Sequence, residues 1–118
     1  MGTIGYNMRA DVQELRDSFF SRGMKEYYEQ LMTDENEVRQ AVKLLKKYAK
    51  GCKNTDQIVD RLYRRAKELI DNIECGRVKE EDLESVEKEI AHCLYCIIDV
   101  QKVLQLEKTF DDDNALTI

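Results

Sequence analysis

The sequence predicts an all-α protein, an elongated antiparallel bundle of about four helices in which the C-terminal helix is the longest. Three observations predict it. The chain has no proline and only five glycines, so it offers few breaks between which strands could be laid. Its apolar residues recur at steps of three and four along most of its length, the spacing of helices with one buried face. Its 36% charged and 42% apolar residues are the balance of a helical bundle and not of a disordered chain.

The elements follow in order. Residues 1–8 read as a poorly tied terminus anchored by Ile4, Tyr6 and Met8. From Asp11 the positions Val12, Leu15, Phe19, Phe20, Met24, Tyr27, Tyr28 and Leu31 keep helical steps, which gives one helix, Arg9 to Met32. Gly23 costs about 1 kcal/mol relative to Ala inside a helix, so the helix is expected to bend near Ser21–Gly23. Thr33 is placed as the N-cap of a second helix, Asp34 to Lys50. Asp34, Glu35 and Glu37 lie in its first turn, Lys46, Lys47 and Lys50 near its end, and Gly51 stops it. Asn54 or Thr55 caps a third helix, Thr55 to Cys75, closed by Gly76.

The fourth stretch dominates. Glu80 to Phe110 contains neither Gly nor Pro, opens acidic, and holds the most apolar segment, Ile90 to Leu106. An uninterrupted helix over it would be about 45 Å long at 1.5 Å per residue. One apolar stripe runs through Leu83, Val86, Ile90, Cys93, Leu94, Ile97 and Leu104, and a second through Cys96, Val100, Val103 and Leu106. The arc is wider than one neighbour needs. A second copy of the chain is therefore expected over Cys96, Val100, Val103 and Leu106, giving a homodimer. Residues 1–110 form one domain on this reading, and 111–118 (DDDNALTI) an acidic mobile tail.

Several function classes are excluded by what the sequence lacks. There is no P-loop, GxGxxG, HExxH or GxSxG pattern, and catalysis is not expected. No 18-residue apolar run exists, so no membrane span is expected. The start has no apolar signal core, and four cysteines without one imply reduced thiols and a cytoplasmic setting. His92-Cys93-Leu-Tyr-Cys96 has the look of a metal or redox motif. Cys52 and Cys75 stand at opposite ends of the third helix, roughly 30 Å apart, and cannot complete a tetrahedral site with that pair. Mid-helix among apolar residues, Cys93 and Cys96 are expected to pack in the core, and no metal or cofactor is expected.

Charge is the informative surface feature. Between Lys43 and Lys67 lie nine basic residues and two acidic ones, a net +7 in a chain of net charge −5, so the remainder carries −12. The candidate site is Lys43, Lys46, Lys47, Lys50, Lys53, Arg61, Tyr63, Arg64, Arg65 and Lys67. Tyr63 beside Arg64 and Arg65 has the composition of a protein-binding hot spot. The expected function is a small non-catalytic interaction module, an inhibitor or adaptor occupying a macromolecular partner's surface. The alternative is nucleic-acid or phosphorylated-nucleotide binding by the same basic cluster.

Overall fold

Side-chain caps mark the starts of the helices Glu35–Ala49 (Asp34) and Thr55–Glu74 (Asn54), whereas Lys25–Leu31 and Glu80–Ile98 start without one. The structure, a computed structural model, describes the backbone of residues 3–117 and the side chains of residues 10–110. Ile4, Tyr6 and Met8 lie outside the described side chains. Five long helices, α1 (Thr3–Phe19), α3 (Glu35–Ala49), α4 (Thr55–Glu74), α5 (Glu80–Ile98) and α6 (Val100–Thr117), pack together with a short α2 (Lys25–Leu31). Among the described residues there is no strand.

The single bent helix expected over Arg9–Met32 is two helices. Phe20–Met24 form a π-helical turn, and Gly23 within it has φ 82° and ψ 16°. That left-handed conformation costs an L-residue with a Cβ about 1–2 kcal/mol, so glycine suits a break here and not only a bend. Phe20 ties the two sides together, its ring 6.3 Å from Phe19 and 5.4 Å from Tyr28.

The caps refine the next boundaries. Asp34, not Thr33, caps α3: its carboxylate accepts from the Asn36 N–H at 2.8 Å. Thr33 belongs to the end of α2, where its hydroxyl donates to the Gln30 carbonyl at 2.7 Å. The α3–α4 connection is a type II turn over Ala49–Cys52. Lys50 has φ −59° and ψ 127°, Gly51 has φ 79°, and the Cys52 N–H reaches the Ala49 carbonyl at 3.0 Å. Such a turn requires positive φ at its third residue. Asn54 then caps α4 by accepting from the Gln57 N–H at 3.0 Å, while the Gln57 side chain accepts from the Lys53 N–H at 2.8 Å. At the far end, Gly76 N–H to Ile73 and Arg77 N–H to Asn72 make a Schellman closure.

The main correction concerns the fourth stretch. The uninterrupted helix expected over Glu80–Phe110 is broken at Asp99, where φ is −136° and ψ 61°. Asp99 begins a new helix: its carboxylate accepts from the Lys102 N–H at 3.4 Å and its carbonyl from the Val103 N–H at 3.0 Å. The helix axis changes direction there. Cys96 meets Ala41 of α3, its thiol donating to the Ala41 carbonyl at 3.1 Å. A straight helix would carry Phe110 about 21 Å further on, beyond the end of α3. Instead the Arg39 guanidinium sits over the Phe110 ring, 4.2 Å from its centroid. The fold is consequently a slab of 44 × 40 × 23 Å, not an elongated bundle on one long spine.

The core explains the wide apolar arc. Leu45, Leu62, Ile90, Cys93, Leu94, Cys96 and Val103 are fully buried, beside Ala41, Ala66 and Phe19. Cys96 and Val103, expected to meet a second copy, are covered by helices of their own chain, and Val100 and Leu106 are half-buried against the same core. The segment expected as an acidic tail continues α6 in backbone to Thr117. Its side chains lie outside those described.

Candidate binding surface

The basic cluster divides into cations that serve the fold and cations that face water. Arg61 is of the first kind. Its guanidinium donates to the carbonyls of Lys50 at 2.8 Å and Tyr48 at 3.3 Å, where the negative end of the α3 dipole favours a cation. Arg65 is also of the first kind. It grips Glu89 of α5 at 2.7 and 3.4 Å and Glu68 at 3.4 Å, and the Glu89 hydrogen bond pushes its already high pKa further up. Arg64 pairs with Asp60 one turn back at 3.1 Å while remaining mostly exposed.

The lysines are of the second kind. Lys43, Lys46, Lys47 and Lys50 are all exposed, and they stand at i, i+3, i+4 and i+7, which puts them on one side of α3. The buried stripe of Ala41, Val42 and Leu45 lies opposite. Lys47 lies 5.7 Å from the Tyr48 ring centroid. Lys43, Lys50, Lys53 and Lys67 make no ion pair with a described residue. Between Asn36 and Lys50 the one acid is Glu37. It turns inward, bonding His92 Nε2 at 3.0 Å and Lys88 Nζ at 3.3 Å.

Tyr63 is separate from this ridge. It joins Arg64, Lys67, Glu68, Asp71, Asn72 and Arg77 around an open groove of about 340 Å³ on α4. Its walls mix both charge signs, so it is a poorer anion site than the ridge. The structure thus brings Lys43, Lys46, Lys47 and Lys50 together on α3 and sets Lys53 on the turn beyond them. Tyr63, Arg64 and Lys67 lie elsewhere, and Arg61 and Arg65 are committed to internal contacts. Asn36, Arg39 and Gln40 extend the lysine face toward the start of α3, at seven, four and three residues before Lys43. Sequence reasoning centred on net charge passed over them, although the helical spacing marks all three.

The other chemistry-bearing residues are turned inward. Cys93 and Cys96 are fully buried, and burial pushes the Cys93 thiol up to about 12 and the Cys96 thiol higher still. His92 is a bridge between α5 and α3 through Glu37, with burial lowering its pKa against the opposing pull of that carboxylate. It borders an acidic groove of about 320 Å³ with Glu81, Glu84, Ser85, Lys88 and Glu89. Among the described residues, no group of three or more His, Cys, Asp or Glu is disposed to hold a metal ion. No helix among them is long and apolar enough to cross a membrane. Comparison with known proteins found no matching family model, no matching curated protein and no matching solved structure.

Proposed function

We propose that this chain is a non-catalytic helical interaction module, an inhibitor or adaptor that acts by occupying the surface of a macromolecular partner. Its contact surface is the lysine face of α3 with Lys53 beyond it. The observation that carries the reading is the four-lysine face opposite the buried stripe, on which no acid sits between Asn36 and Lys50 except the inward-turned Glu37. Exposed ion pairs contribute about 0–1 kcal/mol each, and Lys43, Lys47 and Lys50 face no acid among the described residues, so their charge brings the fold little stability. Concentrated like charge adds self-repulsion, which an anionic partner relieves. A second copy of the chain is not needed for this reading.

The test is capture from native lysate by the wild-type chain and by a Lys43→Glu, Lys47→Glu, Lys50→Glu variant, with folding checked by circular dichroism. Loss of the captured partner on charge reversal supports the reading. Recovery of the same partner by the folded variant sinks it.

A further inference from the structure

We propose that the outward face of α3 docks on double-stranded DNA, gripping its backbone phosphates without reading sequence. This rests on the interaction-module reading and names the class of partner for the same surface. The first argument is which cations remain. Arg61 is spent on carbonyls, Arg65 on Glu89, Arg64 on Asp60, and Arg39 on Glu35 and the Phe110 ring. Guanidinium forks, which suit carboxylate and phosphate alike, are thereby withdrawn from this face, and the ammonium point charges of Lys43, Lys47 and Lys50, which also hold phosphate, are left to meet a partner.

The second argument is what else the face carries. Protein interfaces are enriched in Tyr, Trp, Phe, Met and Arg and depleted in Lys. Here the exposed neighbours of Lys43, Lys47 and Lys50 are Asn36 and Gln40. The exposed large apolar residue among those described is Ile98, at the end of α5. Among the described residues of this face a protein partner would find no fully exposed aromatic or large apolar anchor, and Arg39 beside it is already engaged by Glu35 and the Phe110 ring. A single strand would want exposed aromatics on which to stack bases, and Tyr48 is half-buried.

The third argument is shape. An α-helix with its side chains is about 10–12 Å across, and the major groove of B-form DNA is about 12 Å wide, whereas that of duplex RNA is too narrow for side chains to read. Lys43 and Lys50 lie along the crest and Lys47 to one side of it, so flexible ammoniums can reach phosphates along the groove wall. The chain's net charge of −5 opposes approach at long range. Screening over about 8 Å at physiological salt leaves the local ridge to decide.

The experiment is titration of a mixed-sequence DNA duplex of about two helical turns, followed by fluorescence anisotropy from low to physiological salt. Binding is expected with a log–log salt slope of about −3 to −4, from about 0.9 per phosphate engaged, and unchanged when the sequence is scrambled. Lys43→Gln, Lys47→Gln or Lys50→Gln should each reduce that slope by about one. Lys79→Gln, just before α5, should leave it alone. The proposal is overturned by no binding at low salt, by tighter binding of single strands or duplex RNA, or by slopes that ignore the α3 variants. Poly-glutamate bound in place of DNA, and released by the Lys43→Glu, Lys47→Glu, Lys50→Glu variant, overturns DNA as the partner while the interaction-module reading survives. Indifference of poly-glutamate to that variant, with DNA unbound, removes both.

Discussion

Each of the four thiols has a surrounding that sets its reactivity. Cys75 is exposed at the end of α4 and Cys52 half-buried, whereas Cys93 and Cys96 are fully enclosed. The thiolate is the reactive form, and burial disfavours it at the latter pair. Native labelling with a thiol reagent should therefore modify Cys75 first, then Cys52, and leave two thiols unreacted until denaturant is added. Fast labelling of four thiols would contradict the packing. His92 makes a second residue-scale expectation. Its folded pKa is lowered by burial, so the unfolded chain takes up a proton first as acid is added. Stability is full above about pH 6.5, the unfolded value, and is lost as pH falls toward the lower folded value. Glu37, Lys88 and Glu89 surround it. Urea midpoints measured between pH 7 and 5 should fall for the wild type and flatten for His92→Gln.

Helix ends carry the next expectations. Arg61 tethers α4 to the carbonyl end of α3, whereas Lys50 next to it is exposed without an ion pair to a described residue. Arg61→Ala should destabilise by about 1 kcal/mol, the usual scale of a net hydrogen bond, and Lys50→Ala by well under half of that. Equal effects in urea unfolding would contradict the division between structural and solvent-facing cations. The stops and starts around α3 and α4 were legible because Gly51, Asn54 and Gly76 are local signals that need only neighbouring backbone. The break at Asp99 was missed, although a signal stood there. Asp99 is the first charged residue after Glu89, and a carboxylate inside an apolar run is an N-cap candidate. Strong helix compatibility on both sides hid it, since continuation and restart leave the same three-four spacing. What no local pattern could supply is the pairing of His92 with Glu37 and Arg65 with Glu89, which lie 55 and 24 residues apart. Of the ten candidate site residues, Arg65 is structural for that reason, and Arg61 because it reaches the Tyr48 and Lys50 carbonyls 13 and 11 residues away.

For the molecule as a whole, the break at Asp99 answers why the middle of the C-terminal stretch is apolar on so many sides. Cys96 and Val103 are covered by α3 and its neighbours within one chain, so the surplus arc that pointed to a homodimer is absorbed internally. Light scattering should give the monomer mass of 13.9 kDa, and a stable dimer mass would show a contact made through some other face. Charge segregation operates at this scale as well. A chain of net charge −5 that sets four of its eleven lysines on one side of α3 keeps one cationic surface exposed against a net-negative remainder.

A single residue outside regular helix, Asp99, is all that separates α5 from α6. Straightening that one junction would restore a rod that hands α6 to a neighbour's vacant seat, the hinge geometry from which exchanged dimers arise. Asp99→Ala removes the carboxylate that favours the break, and at high protein concentration it should build up an intertwined pair that size-exclusion chromatography separates from the monomer.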